Sequence, residues 1–412
     1  MEEFTKGKSP FYPGQPVPVE LFVGRAAQID KIINRGVRQV ADGKPVCIYV
    51  QGEYGIGKSS IAGFTQSLAE KDYGLHGIYA TLGGAKDIVD VAKVVLEATL
   101  RSGAFDPKKS EHIRNWLSKY IGKQKLFGFT VNAEALKKDA PNISSPFGML
   151  GFLTETKKRL EDLGVKGIFL ILDEINGITV DPQFSHFIKG LVDTNALSKE
   201  PLPLLLMLCG VEERRREMIQ KHQPIERYFD IINIETMSDE EMEEFFKRAF
   251  ESVQMTVEQD ALPVLTLLSA GFPKIMHLIG DAAYWIDRDG IIDVNDALDA
   301  VLDAADDVGK KYVDHQVYKA LRSEDYHSIL DKIAKMGSPS SLMFRKSEMA
   351  DGLSDTEKRK LNNFLQRMKK LKVLRSGDVP GEYIFNHRMV RLYIWLHASK
   401  KIVKRKELTN KL

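Results

Sequence analysis

One stretch limits the possible folds of this 412-residue chain more than any other. The apolar run Val46–Val50 is followed at once by Gly52-Glu53-Tyr54-Gly55-Ile56-Gly57-Lys58-Ser59, and a helical pattern then runs from Ser59 to Lys71. The spacing Gly-x-x-x-x-Gly-Lys-Ser is that of a phosphate-binding loop set between a buried strand and a helix. Glycines let the backbone wrap closely, so that the amides of Gly55, Ile56, Gly57 and Ser60 and the start of the helix face an anion. Lys58 supplies charge for the outer phosphates, and the Ser59 hydroxyl is a hard oxygen ligand for Mg²⁺. The expected ligand is ATP with Mg²⁺.

A loop of this kind calls for a parallel sheet, and the rest of the chain supplies one. Strand-like runs at His76–Thr81, Gly167–Leu172, Leu204–Leu208 and Ile231–Ile234 alternate with helical patterns at 87–100, 148–163, 183–193 and 239–253. Such alternation predicts an α/β fold, a parallel sheet with helices on both faces. Residues 1–20, with Pro10, Pro13, Pro16 and Pro18, read as an extended arm. The expected division is an arm over 1–20, a nucleotide-binding domain over 21–236, a helical lid over 237–320, and a C-terminal domain over 321–412 with a basic tail. The weak alternation of Leu126–Val131 suggests a hairpin inserted near 122–140.

Within this frame, Ile168-Phe-Leu-Ile-Leu172 ends in Asp173-Glu174. A buried strand delivering two carboxylates toward a phosphate loop can divide two tasks. Asp173 would hold the metal shell, and Glu174 would act as the base toward an attacking water.

Bulk properties narrow the setting. The longest apolar runs, 168–172 and 202–209, are far shorter than the ~20 residues of a membrane span and read as buried strands. The two cysteines, Cys47 and Cys209, both lie in strand-like runs and form no metal or disulfide spacing, so a reducing, cytoplasmic location is expected. His76, His277 and His387 fall in apolar surroundings, and Trp116, Trp285 and Trp395 in helical ones; all are expected to pack in or beside the core.

The net charge of +2 conceals a division. Residues 340–412 hold 18 Lys+Arg and 7 Asp+Glu, a balance of +11, while the first 339 hold 41 and 50, a balance of −9. In the basic part a short helix is expected over Phe344–Asp351 and a longer one over Ser354–Leu371, with Ser354 and Glu357 in capping-box positions. Two short strands, 373–376 and 383–386, flank a Gly- and Pro-containing loop with the composition of a wing. The basic residues of the long helix, and Asn362 and Asn363, suit duplex DNA.

Taken in order, these elements resemble the AAA+ ATPases, in particular their origin-recognition-like branch and the neighbouring STAND signalling ATPases. The resemblance covers most of residues 20–400. It implies that Phe22-Val23-Gly24-Arg25 encloses the adenine, with Val23 and Arg25 at the nucleotide. It implies that Gly271-Phe272-Pro273-Lys274 is a lid motif that reaches the nucleotide through Pro273 and Lys274. It also implies a C-terminal winged helix. The family's sensor-one position falls on Cys209-Gly210, where a polar side chain is usual, and slow turnover is the implied consequence. An arginine finger acting on a neighbouring subunit falls on Arg227, or on one of Arg214, Arg215 and Arg216, which otherwise read as a solvated helix face. Two functions stay open at this point: an ATP-driven switch acting on double-stranded DNA, and a signalling or defence ATPase whose winged helix binds a protein. Both carry self-association or a protein partner.

Overall fold

A computed structural model describes residues 6–13, 24–103, 106–121, 143–221, 223–269, 271–308 and most of 317–398. It divides into two compact units, residues 16–235 and residues 1–15 joined with 236–412. Val23, the expected hairpin near 122–140, His387 and the basic tail from 399 lie outside the described residues.

The first unit is a three-layer α/β structure. Helix α1 (Ala26–Ile32) continues through a π-turn at Ile33–Val37 into Arg38–Ala41. Next come β1 (Val46–Gln51), α2 (Lys58–Asp72), β2 (Leu75–Thr81), α3 (Ile88–Arg101), α4 (Pro107–Ile121) and α5 (Pro146–Leu160). The unit closes with β3 (Gly167–Asp173), α6 (Pro182–Ala196), β4 (Leu204–Gly210), α7 (Glu212–Lys221) and β5 (Phe229–Asn233). The five strands are all parallel, in the order β2-β3-β4-β1-β5. Strands β3 and β4 are buried along their whole length, which is why they read as unbroken apolar runs rather than alternating ones. Helix α4 was not expected from the sequence; among its described side chains the buried apolar ones are Ile113, Trp116 and Leu117, a short stripe among charges.

The second unit begins with α8 (Asp239–Glu251), which starts on a full capping box between Ser238 and Glu241. It continues through β6 (Thr256–Val257), α9 (Leu262–Ser269), α10 (Pro273–Ile286), β7 (Ile291–Ile292) and α11 (Val294–Val308). This region was expected to be purely helical, but β6 and β7 form a parallel two-stranded pair. Two residues each are too few to leave a periodic signal.

Residues 6–13 are anchored in this unit. Phe11 packs edge-on against Phe245 and Phe250 at centroid distances of 5.9 and 5.0 Å. Gly280 makes room for it, since a β-carbon there would come within 2.2 Å of the Phe11 ring. The Tyr12 amide donates to His277 Nδ1 at 3.2 Å, and Lys6 donates to the carbonyls of Trp285 and Asp287. His277 is buried as expected, but Trp285 is 56% exposed rather than packed away.

The chain ends in α12 (Glu324–Lys335), β8 (Met343–Arg345), α13 (Lys346–Ala350), α14 (Asp355–Lys370), β9 (Leu374–Ser376) and β10 (Glu382–Phe385). The three strands form an antiparallel sheet in the order β8-β10-β9, completing a winged helix. The helix expected over 344–351 is shorter, because Met343–Arg345 is recruited as the third strand opposite β10. Arg391 ties the domain together from inside: its guanidinium donates to the carbonyls of Ala334 and Met336 at 2.6 Å each and to Ser341 at 3.3 Å.

Candidate functional site

The phosphate loop leaves the carboxyl end of β1 and turns into α2. Gly55 and Gly57 hold φ of 81° and 100°, a region open to glycine at little cost. Gly52 is needed for a different reason: a β-carbon there would meet the Ile234 carbonyl at 2.6 Å. Lys58 opens α2, and its ammonium donates to the carbonyls of Gly52 and Glu53 at 2.9 and 2.8 Å. Burial pushes its pKa below the ordinary lysine value, against the opposing carboxylates of Asp173, Glu53 and Glu174. Ser59 and Ser60 follow it in the first turn.

Arg25 reaches this loop from the start of α1. It is buried, sits at φ 67°, and donates through Nη2 to the Ile56 carbonyl at 3.3 Å. The structure thus brings one residue of the motif over 22–25 to the loop backbone.

Asp173 and Glu174 lie at the carboxyl end of β3, separated from β1 by β4. Both oxygens of Asp173 have donors: Oδ1 accepts from the Glu174 amide at 2.8 Å and Oδ2 from the Tyr79 hydroxyl at 2.6 Å. Tyr79, on β2, also lies 3.3 Å from the Ser59 carbonyl. Burial, then the charge of Asp173, raises the phenol far above its ordinary pKa, so it is a protonated donor at neutral pH. Glu174 holds φ 55°, the left-handed region, which costs a non-glycine residue about 1–2 kcal/mol. Strain of this kind concentrates at functional sites.

Cys209, at the position expected to be sensor one, is fully buried and its thiol is pushed up by burial and then by Asp173. It is a neutral group, and its carbonyl accepts from the Ile175 amide at 3.3 Å.

The three arginines of α7 do not form a uniformly solvated face. Arg214 pairs with Glu217 at 2.7 Å and Arg216 with Glu212 at 2.8 Å, both along the helix. Arg215 is only 15% exposed and donates to Gln51 Oε1 at 2.8 Å, with Glu226 at 3.7 Å. The amide nitrogen of Gln51 in turn donates to Asn233 at 2.8 Å. Sequence reasoning missed this bridge because its members lie far apart in the chain.

Arg227 is exposed, and its guanidinium sits 5.4 Å from the Tyr228 ring centroid. Cys47 pairs with Phe229, so Arg227 precedes β5 at the end of the sheet opposite the phosphate loop. A strand of this length spans about 17 Å, so Arg227 cannot serve the loop of its own chain. Pro273 and Lys274 open α10 in the other unit. There Gly271, at φ 75°, accepts from the Met237 amide at 2.9 Å, and a β-carbon on it would meet Thr236 Cβ at 2.6 Å.

On the winged helix, α14 buries Leu361, Phe364, Leu365 and Met368. Its exposed side presents Arg359, Asn362, Asn363, Gln366 and Lys370, all at helical spacing. Gln366 had not been singled out from the sequence. Lys360 and Lys369 are turned to other work, with Asp325 and with Ser376.

The sequence matches no protein-family model. No curated protein sequence matches it either. Among solved structures, the Walker-type ATPase of Pyrococcus abyssi is similar at 18% identity and a TM-score of 0.52, with 91% of this chain and 96% of that one covered. The ORC2 protein of Aeropyrum pernix, solved as ADPNP–ADP complexes, is similar at 13% identity and a TM-score of 0.52, with 92% and 95% covered. Among the described residues no helix is long and apolar enough to cross a membrane. With the strand order β2-β3-β4-β1-β5, the helical region after it and the terminal winged helix, the likenesses establish the architecture: this chain has the AAA+ P-loop ATPase fold.

Proposed function

We propose that this protein is an ATP-binding and ATP-hydrolysing switch that acts on duplex DNA through its winged helix. The observation that carries the nucleotide part is the convergence of Lys58, Arg25, Asp173 and Glu174 on the end of the sheet where the glycine loop turns into α2. The loop amides and Lys58 would receive the phosphates, and Glu174 would orient and deprotonate the attacking water. The oxygen donors Ser59 and Asp173 are the type Mg²⁺ takes beside nucleotide phosphates. When bound, that ion would offset phosphate charge. Arg227 would complete the site of a neighbouring subunit, which makes self-association part of the reading.

The DNA part rests on the exposed side of α14. Arginine and lysine at its two ends suit phosphates, and the central Asn362, Asn363 and Gln366 have the amide pairs that match adenine edges. The test has two arms on the full chain. Lys58→Ala should abolish ATP binding; retained binding would overturn the nucleotide reading. Duplex DNA affinity should fall steeply with salt, and Arg359→Ala with Lys370→Ala should flatten the log–log slope by about 2. A winged helix that binds no DNA at low salt, or binds with an unchanged slope in the double variant, would turn the reading to a protein partner.

A further inference from the structure

Tyr79 belongs to neither of the motifs that define the loop and the carboxylates, yet it touches both. Its hydroxyl carries one proton, directed at Asp173 Oδ2 across 2.6 Å, and the Ser59 carbonyl lies 3.3 Å away. Strand β2 places it in register with Ile171, two residues before Asp173, so its side chain runs alongside the last turn of the pleat in β3. The Glu174 amide holds the other oxygen of Asp173 at 2.8 Å. A carboxylate with one donor on each oxygen has a fixed plane and a fixed pair of free lone-pair directions.

From this we infer that Tyr79 is a positioning residue: it orients Asp173 toward the Mg²⁺ of a bound nucleotide. The inference rests on the nucleotide reading above. Donors of this kind fix the geometry of a metal-binding carboxylate, and their loss typically weakens metal affinity by about 10–100-fold. The phenol's single proton points at Asp173 rather than at the loop, so binding of the nucleotide without metal should be indifferent to it.

The experiment is a titration of a fluorescent ATP analogue with the full chain, first without divalent ion and then across Mg²⁺ concentrations. Tyr79→Phe removes the hydroxyl and keeps the ring. It should leave metal-free affinity within about twofold of the parent and raise the Mg²⁺ midpoint by about tenfold. An unchanged or lowered midpoint would overturn the role of Tyr79 and leave the nucleotide reading standing. A parent protein that binds no nucleotide would overturn both. A general structural role would instead weaken metal-free binding and Mg²⁺ response together, which also counts against positioning. If Tyr79→Phe does not fold, Tyr79→Met, which also lacks the hydroxyl, is read by the same criteria.

Discussion

The carboxylate of Glu174 rests against Gly83: a β-carbon built on Gly83 would come within 2.3 Å of Glu174 Oε2. Gly83 follows β2 in the loop that begins at Leu82, whose amide donates to the Asp173 carbonyl at 2.7 Å. The loop after β2 therefore sets where the expected base can stand. The obstacle would be the free end of a flexible side chain, so Gly83→Ala should change stability by less than about 0.5 kcal/mol. It should nevertheless reduce ATP turnover by about tenfold, by displacing the base. Glu174→Gln should reduce turnover by about 100-fold or more with nucleotide binding retained. Steady-state phosphate release and a binding titration check both variants; full turnover in Glu174→Gln would remove it from the mechanism.

Arg227 lies at the far end of its own sheet, so its contribution is expected only between subunits. Arg227→Ala and Lys58→Ala should each be inactive alone. Mixed together, they should regain part of the turnover, because some hybrid interfaces pair an intact loop with an intact arginine. Absence of recovery in a mixture shown by sedimentation to be oligomeric would exclude Arg227 as the finger.

Two buried histidines give a pH dependence with a defined sign. Burial lowers both His76 and His277 from 6.5 to about 4. Both stay neutral in the fold, while the unfolded chain takes up protons as the pH falls through 6.5. Their contribution is therefore fully present above pH 6.5 and is lost as the pH falls toward 4, at about 1.4 kcal/mol per pH unit for each histidine. Urea midpoints at pH 7.5 and 5.0 measure this, and His277→Gln should remove the share of its own unit.

Phe11→Ala empties the slot over Gly280 and should cost about 3 kcal/mol in the unit that holds it. Gly280→Ala should expel the same ring from the other side. Since both changes break one contact, their effects should be less than additive. Protease cleavage near residues 6–13 should rise in each single variant; no rise would show that the arm stays in place without the ring.

The parts of the site that were legible in the sequence are those whose chemistry is local. The loop from Gly52 to Ser59 and the pair Asp173-Glu174 are each contiguous, and the strands before them are apolar throughout, so pattern and context coincide. Tyr79 was invisible because its partner is 94 residues away, and a tyrosine in a strand is ordinary core material. Arg215 was misread for a related reason: a run of three arginines resembles a solvated face until Gln51 and Glu226 are brought to one of them. In the winged helix the capping box at Ser354 announced α14, whereas β8 is three residues long and is a strand only because β10 lies beside it.

The anchoring of Phe11 also bears on how the chain can be cut. The unit that contains the winged helix is assembled from residues 1–15 and 236–412, which residues 16–235 separate in sequence. A fragment beginning at Thr236 would lack a piece of its own interior and expose the aromatic slot formed by Phe245, Phe250 and Gly280. A fragment ending at Glu235 would carry an orphaned Phe11 with nowhere to bury it. That compact unit is therefore discontinuous in the gene though continuous in space.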